Sequence, residues 1–196
     1  TFMKDARYED MGSIFIDPDN DDVKLGCLSI KDGKISEVSF TENNFNHKEY
    51  DKIINCDEKY LAPGIVDVGV KICEPGERHK ESFRTASLAA AAGGVTTMIT
   101  RPDTIPAIDT PEKLEFVKNR ADKVSSVNIY TMAALTRERL GLEMTEFGFL
   151  QDAGAVGFTD CDQVISNNKI MSRCLAYAES LGLLVQGHPQ DSTLAA

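Results

Sequence analysis

A short apolar run enclosed by two turn pairs constrains this chain more than any other feature. Residues 61–76 read LAPGIVDVGVKICEPG, in which Pro63-Gly64 precedes the run and Pro75-Gly76 follows it. Such a run, followed by a helical segment and a further apolar run, opens a βαβ unit. Because the chemistry of these units lies at the carboxyl ends of their strands, we expect catalytic residues between positions 69 and 74.

The alternation of strand and helix patterns continues through residue 188. It predicts strands at 64–72, 95–100, 127–134, 155–159 and 183–188, and helices at 80–92, 111–123, 144–153 and 167–181. Helix starts are indicated at Thr110-Pro111, at Thr145 and at Ser166 to Asn168, and helix ends at Gly93-Gly94 and Gly154. Five such repeats predict a parallel sheet covered by helices, either doubly wound or the first part of a barrel.

The first 60 residues follow a different pattern. Short apolar segments at 12–17, 26–39 and 52–56 predict strands, and Asp32-Gly33 is a dipeptide typical of hairpin turns. The acidic stretch 17–22 lacks the ligand spacing of a calcium-binding loop, which favours a solvated loop. We therefore predict a small β domain at 1–60 and an α/β domain at 61–196.

Composition excludes several classes of function. The chain has 196 residues and a formal net charge of −10, and it contains no Lys/Arg cluster, which argues against nucleic acid as a partner. No apolar run reaches the roughly 18 residues that cross a membrane, and the first ten residues do not form a signal peptide. We expect a cytoplasmic protein without a membrane partner, whose five dispersed cysteines are free thiols.

Six motifs, in order along the chain, resemble the dihydroorotase branch of the amidohydrolase superfamily. They are PGIVD at 63–67, EPG at 74–76, AAAAGGVTT at 89–97, RPDT-x-P at 101–106, GAVGFTD at 154–160 and GHPQD at 187–191. The resemblance implies an amidohydrolase-type (β/α)8 barrel, of which about the first five β/α units are present, beside a small N-terminal β-sandwich. It also implies the zinc-dependent, reversible ring closure of N-carbamoyl-aspartate to dihydroorotate in pyrimidine biosynthesis.

Three positions within residues 67–76 differ from the family pattern D-x-H-x-H-x-R-E-P-G. Gly69 and Lys71 stand where the family has its two metal-binding histidines, and Cys73 stands where an arginine would grip the substrate carboxylate. Histidines two apart on a strand point the same way and can share a metal ion. Glycine supplies no ligand and an ammonium repels a cation, so we expect no zinc to be bound here.

The remaining candidate site residues lie after the later strands. Asp103 replaces the asparagine of the family's M-P-N-T segment, and Arg101 is placed to neutralise it. Asp160, with Asp162 as the alternative in the alignment, and His188 match metal ligands of the family, although a lone histidine is more often a hydrogen-bonded residue. We expect the Lys71 ammonium to occupy the space of the missing metal and to pair with Asp160, Asp67 or both, with a solvent-exposed lysine as the alternative.

These observations leave three hypotheses for function. The first is a catalytically silent dihydroorotase homologue that acts as a structural partner of aspartate transcarbamoylase or assembles as a homo-oligomer. The second is an active dihydroorotase with an atypical site, in which Asp67, Asp160 and His188 hold one metal ion and Lys71 assists. The third is a non-enzymatic binding module for another acidic metabolite.

Overall fold

The computed structural model describes residues 8–16, 23–40, 51–56 and 59–191. The chain divides into two compact units, residues 1–64 and residues 65–196. Among the described residues, none of the helices combines the length and apolarity needed to cross a bilayer. The acidic stretch 17–22, predicted as a solvated loop, lies outside the described residues.

The first unit contains one five-stranded sheet. Its strands are β1 (Tyr8–Ile16), β2 (Val23–Lys31), β3 (Lys34–Ser39), β4 (Lys52–Asn55) and β5 (Tyr60–Leu61). The order is β3-β2-β1-β4, with β5 also paired to β1. The predicted hairpin turn joins β2 to β3, and Asp32 and Gly33 both have positive φ angles, 52° and 71°.

The expected β-sandwich is not confirmed. A sandwich needs two sheets packed face to face, and the described part of this unit forms a single sheet. Antiparallel pairing joins β1 to β2 and β2 to β3, whereas β4 and β5 run parallel to β1. The predicted strands exist, but the first begins at Tyr8 and the second at Val23, both earlier than their apolar patterns suggested.

The second unit is a four-stranded parallel sheet with helices between its strands. The strands are β6 (Ile65–Val70), β7 (Val95–Thr100), β8 (Asn128–Ala133) and β9 (Ala155–Phe158), in that order. The helices are α1 (Phe83–Ala92), α2 (Pro111–Val124), α3 (Phe147–Asp152) and α4 (Asn168–Ser180). The α/β architecture with a parallel sheet therefore agrees with the sequence-based prediction.

The predicted fifth strand at 183–188 is present only as a short extension of the sheet. Phe158 forms a parallel bridge with Val185, and its backbone N–H donates to the Leu184 carbonyl at 2.9 Å. The Gln186 N–H returns a bond to the Phe158 carbonyl at 2.9 Å. Because β9 itself has only four residues, it offers this last segment a short edge to pair with.

Helix boundaries follow the capping residues. Ser82 and Thr85 form a capping box that starts α1 at Phe83 instead of at residue 80. Asn167, one of the predicted caps, accepts bonds from two N–H groups at the start of α4. Thr145, the predicted cap of α3, instead donates its hydroxyl to the Ala134 carbonyl at 2.7 Å, and Glu146 takes the N-cap position before Phe147.

The core of the second unit lies between the sheet and its helices. The ring of Phe147 on α3 stacks on Phe158 of β9 with centroids 4.3 Å apart, and on Tyr177 of α4 at 5.3 Å. Further fully buried side chains, contributed by α1, α2, α3 and the segments after the strands, are Phe83, Ile108, Leu114, Val117, Leu135 and Leu150. Burial of each such side chain stabilises the fold by about 1.5–3 kcal/mol, and this packing fixes the loops at the carboxyl ends of the strands.

Candidate functional site

The backbone of β6 is irregular at Gly69, the first altered position. Gly69 has φ +87°, and the pairing with β7 shifts register between Val68 and Val70. A Cβ atom built at this position would meet no other atom within 4 Å, so space is open there. The φ angle itself, however, lies in the region that favours glycine, and any residue with a side chain would be strained at this position.

The ammonium of Lys71 pairs with the carboxylate of Asp103, just beyond the end of β7. Lys71 Nζ lies 3.1 Å from Asp103 Oδ2, and Arg101 Nη2 donates to the same oxygen at 2.7 Å. The Asp103 side chain is 2% exposed, whereas that of Lys71 is 53% exposed. One buried carboxylate oxygen therefore contacts two cations at the carboxyl ends of β6 and β7.

Asp103 takes the place that we expected Asp160 or Asp67 to have as the partner of Lys71. The physical reason is strand order: β6 and β7 are neighbours, and the Arg101 N–H donates to the Val70 carbonyl at 2.9 Å. This bond places the segment that carries Asp103 beside Lys71. Asp160 follows β9, two strands further along the sheet. The predicted pairing of Arg101 with Asp103 is present in the structure.

The charged cluster continues to residues after β8 and β9. Arg139 Nη2 donates to Asp162 Oδ1 at 2.7 Å, and Arg101 Nη2 lies 3.9 Å from the same oxygen. With Lys71 and Asp103, the cluster holds three cations and two carboxylates, which leaves one excess positive charge. We refer to these five residues as the charged cluster.

The pKa values of two cluster members reflect the balance of burial and charge. Burial works to raise the pKa of Asp162, but its own backbone N–H and the cations Arg139, Arg101 and Lys71 outweigh burial and lower it. Burial works to lower the pKa of Arg101, but the neighbouring Asp103 and Cys161 outweigh that effect and raise it. Both groups are therefore firmly ionised at neutral pH.

Asp160 serves as a structural acceptor in this fold. Its side chain is buried, and its Oδ1 accepts from the Thr136 backbone N–H at 3.0 Å while Oδ2 accepts a short bond from the Thr136 hydroxyl. The same hydroxyl oxygen accepts from the Gly141 N–H at 2.8 Å. Burial raises the pKa of Asp160 above its ordinary value, although the bonds from Thr136 oppose the shift.

His188 lines the same small cavity as Asp160. The cavity has a volume of about 90 Å³ and is also bordered by Gln163, Met171 and Gln186. One ring nitrogen of His188, Nε2, lies 2.7 Å from Gln190 Oε1, and the histidine is exposed. Both predicted metal-ligating residues therefore line one cavity, and each contacts another protein group.

The sequence of the chain matches a known protein family. A family model described as dihydro-orotase-like matches residues 58–196, which is more than half of the chain.

The chain belongs to the dihydro-orotase-like family.

Curated relatives agree with this family. The chain is 41% identical over 182 residues to the dihydroorotase of Wolbachia sp. subsp. Drosophila simulans (strain wRi), which covers 92% of this chain and 40% of that protein. It is 35% identical over 194 residues to the dihydroorotase of Bacillus cereus (strain AH187), and this match covers 98% of this chain and 42% of that protein. The chain thus spans about two-fifths of the length of these relatives.

Solved structures share the fold at low sequence identity. The L-hydantoinase (dihydropyrimidinase) from Arthrobacter aurescens superposes with a TM-score of 0.82 at 22% identity, over 98% of this chain and 42% of that one. A dihydroorotase crystal structure superposes with a TM-score of 0.62 at 14% identity, over 95% of this chain and 52% of that one. These neighbours are amidohydrolases with a (β/α)8 barrel, and the chain corresponds to less than the whole of each.

The described residues do not fit the zinc site that the family implies. A zinc site draws three or four ligands from His, Cys, Asp and Glu. Within 59–191 and the shorter described segments, no three such side chains come together in an arrangement that could hold a metal ion. Gly69 offers no ligand, Lys71 adds a positive charge, and Asp160 is bonded to Thr136.

Cys73 and Cys161 border the altered centre. Cys73 is half-buried just after β6, where the family arginine would stand, and its carbonyl accepts from the Glu77 N–H at 2.8 Å. Cys161 is half-buried with a φ of 59°, and burial, followed by the charge of Asp103, raises the pKa of its thiol. The five cysteines of the chain are free, as predicted.

Two parts of the site were not predicted from the sequence. Arg139 enters the charged cluster from a turn whose sequence, TRERLG, carried no recognised motif. Glu74 of the EPG motif is buried, and it accepts from Arg120 Nε at 2.8 Å and from the Phe83 N–H at 3.0 Å. The position of Glu74 directly before a turn and a helix start is the signal that indicates such a role.

Proposed function

We propose that this chain is a catalytically silent member of the dihydro-orotase-like family that acts as a structural partner of aspartate transcarbamoylase in pyrimidine biosynthesis. One observation carries the first part of the proposal: the ammonium of Lys71 lies 3.1 Å from the buried carboxylate of Asp103. This ion pair occupies the altered strand end where the resemblance implies a metal-binding imidazole. Catalysis by the family's chemistry would need that charge to be replaced.

The substrate side of the centre supports the same conclusion. The resemblance assigns the grip on the substrate carboxylate to an arginine at position 73 and an amide at position 103, and the chain has Cys73 and Asp103 there. Asp103 is buried beside Lys71 and Arg101, so its negative charge is balanced by these two side chains of the protein. A neutral thiol and an anion would not attract an anionic substrate at these two positions.

The test is turnover and metal content measured on the same purified full-length protein. We expect substoichiometric zinc by mass spectrometry of the metal, and hydrolysis of dihydroorotate and cyclisation of N-carbamoyl-aspartate at the rate of the buffer blank. An active dihydroorotase assayed in parallel serves as the positive control. Stoichiometric zinc together with turnover on the order of 10 s⁻¹, an ordinary enzymatic rate, would overturn the proposal.

The partner is tested separately. The full-length protein is mixed with aspartate transcarbamoylase from the same organism, and the mixture is examined by size-exclusion chromatography with light scattering. We expect one complex of both proteins and a transferase activity that depends on it. Elution of two separate peaks would contradict this part, and light scattering of the chain alone distinguishes a homo-oligomer.

An active dihydroorotase with an atypical site is the alternative, and the names of the curated relatives favour it. It would use Asp67, Asp160 and His188, of which Asp160 is already bonded to Thr136. His188→Ala discriminates: loss of bound metal would support the alternative, and unchanged metal content would count against it. His79→Ala, at another exposed histidine, is the matched control.

A further inference from the structure

The turn after β8 holds two charged residues in an unusual backbone conformation. Glu138 has φ 53° and ψ 12°, and Arg139 has φ 60°, both in the left-handed region. This region is unfavourable for residues with a Cβ atom, and turns normally place Gly, Asn or Asp there. Strained residues of this kind persist where the surroundings fix them, and they concentrate at binding sites.

Two buried carboxylates fix this turn from either side. Asp109, at the start of the segment that leads to α2, accepts the Glu138 N–H at 2.9 Å on Oδ2 and the Lys113 ammonium at 2.6 Å on Oδ1. Asp160 accepts both the N–H and the hydroxyl of Thr136. The strained pair is thus held by residues from two other loops, and the conformation is part of the fold.

The turn places Arg139 in the lining of an open groove. The groove has a volume of about 350 Å³ and lies between the loops that follow β7, β8 and β9. The Arg139 side chain is 14% exposed, and its Nε is buried without a hydrogen-bond partner among the described residues. Within the described ranges, this guanidinium, which has five N–H donors, makes one hydrogen bond, from Nη2 to Asp162.

The rest of the groove is mainly apolar. Ile105, Pro106 and Leu140 are exposed on its walls, and the Gln163 amide adds a neutral polar group. A volume of this size lies at the lower end of small-molecule sites, which combine apolar walls with a few placed polar groups. The groove therefore fits a small ligand with an apolar body.

Arg139 is the cationic residue in the lining of the groove. The charged cluster, to which Arg139 belongs, carries one excess positive charge over its two carboxylates. Glu138 also borders the groove, and its carboxylate lies 3.6 Å from the Lys113 ammonium, which Asp109 contacts at 2.6 Å. A planar guanidinium matches a carboxylate with two parallel hydrogen bonds.

We propose that this groove binds a small monocarboxylate with a flat apolar body. Its carboxylate contacts the Arg139 guanidinium, and its body rests on Ile105, Pro106 and Leu140. This site goes beyond the proposed scaffold role and does not rest on it, because Arg139 stands on the turn after β8 and not at the altered positions of β6.

The experiment uses benzoate as the probe and benzamide as its neutral isostere, titrated into the full-length protein by calorimetry or ligand-observed NMR. We expect benzoate to bind with a dissociation constant on the order of 1 mM, as suits so small a ligand, and benzamide at least about tenfold more weakly. Arg139→Gln should weaken benzoate binding about tenfold to hundredfold, the range of a lost hydrogen bond to a charged group. Arg137→Gln, on the same turn but paired with Glu143 outside the groove, is the matched control.

A second pair of variants covers the case in which Arg139→Gln fails to fold. Leu140 and Leu142 are both highly exposed, and only Leu140 borders the groove. Leu140→Glu should weaken benzoate binding by like-charge repulsion, whereas Leu142→Glu should leave it unchanged. Equal affinity for benzoate and benzamide, no saturation of a folded wild type at about ten times 1 mM, or equal losses within either pair of variants would overturn the proposal.

Discussion

Asp103 sets the charge balance of the altered centre at the scale of a single residue. Its Oδ2 contacts both Lys71 and Arg101, and its other oxygen, Oδ1, is buried without a partner among the described residues. The family has asparagine at this position according to the resemblance. The carboxylate is therefore explained by the two cations that surround it, and a neutral amide would leave them uncompensated.

Asp103→Asn should lower the free energy of unfolding by about 1–3 kcal/mol. Removing one member of a buried ion pair costs about 3–5 kcal/mol, and the half-exposed Lys71 side chain reduces that value through solvent screening. Chemical denaturation followed by circular dichroism measures the change. Asp122→Asn, at an exposed position of α2, is the control, and an equal effect of both variants would contradict the argument.

The raised pKa of Asp160 predicts a pH dependence of stability. Burial is the main cause of the shift from the ordinary value of 3.8, so the folded protein retains this proton at pH values where the unfolded chain has lost it. The contribution of Asp160 to the stability of the wild type should therefore fall as the pH rises from 3.8 through the folded pKa.

Asp160→Asn checks this pH dependence because the amide does not titrate. The difference in unfolding free energy between wild type and Asp160→Asn should change in favour of the variant as the pH rises from about 4 to about 7. Urea denaturation at several pH values measures it. A constant difference across this range would show that the carboxyl group does not carry the effect.

At the scale of elements, Glu74 joins the end of β6 to two helices. Its Oε2 accepts the Phe83 N–H at the start of α1, and its Oε1 accepts Arg120 Nε from α2. The glutamate of the EPG motif thus links the segment after β6 to α1 and α2 through hydrogen bonds. Arg78 Nε also lies 3.6 Å from Oε1. The roles of the two oxygens are separable, since Oε2 needs only to accept a hydrogen bond whereas Oε1 gains from the charge.

Glu74→Ala should destabilise the protein by about 2–4 kcal/mol, because it leaves Arg120 and a helix N–H without their acceptor. Glu74→Gln should cost less, since its amide oxygen still accepts from the Phe83 N–H. Thermal and urea denaturation compare the two, with Glu115→Gln on the exposed face of α2 as the control. Equal losses for the alanine and glutamine variants would contradict separate roles for the two oxygens.

The elements of the second unit were largely predictable, and their contacts were not. Helices α2 and α4 begin at predicted caps because proline and asparagine have strong local preferences. The pairing of Arg101 with Asp103 followed from a spacing of two residues, whereas that of Lys71 with Asp103 depends on strand order. Arg139 was missed because glutamate and arginine give no sign of a left-handed turn; distant Asp109 imposes it.

At the scale of the whole molecule, β6 is an edge strand with apolar side chains on both faces. Ile65, Val66 and Val68 are each more than half exposed. The chain spans about two-fifths of its curated relatives, which are long enough to provide further strands. An apolar edge of this kind is a template for pairing with another chain.

Val68→Lys should therefore reduce self-association of the 196-residue chain. A charged side chain on an edge strand opposes strand-to-strand pairing. Concentration-dependent light scattering should show a lower apparent mass for Val68→Lys than for wild type, and Thr96→Lys, at an exposed position of the inner strand β7, is the control. The same apparent mass for wild type and Val68→Lys would argue against pairing through this edge.

The positive φ of Gly69 bears on which substitutions could restore the family pattern. Introducing the family's imidazole there would place a large side chain on a backbone that only glycine accepts without strain. Histidines at positions 69 and 71 would therefore not be sufficient to recreate a hydrolase, because the backbone conformation of β6 at Gly69 would also have to change. The loss of catalysis proposed for this chain thus involves the main-chain conformation, and substitution of side chains alone would not reverse it.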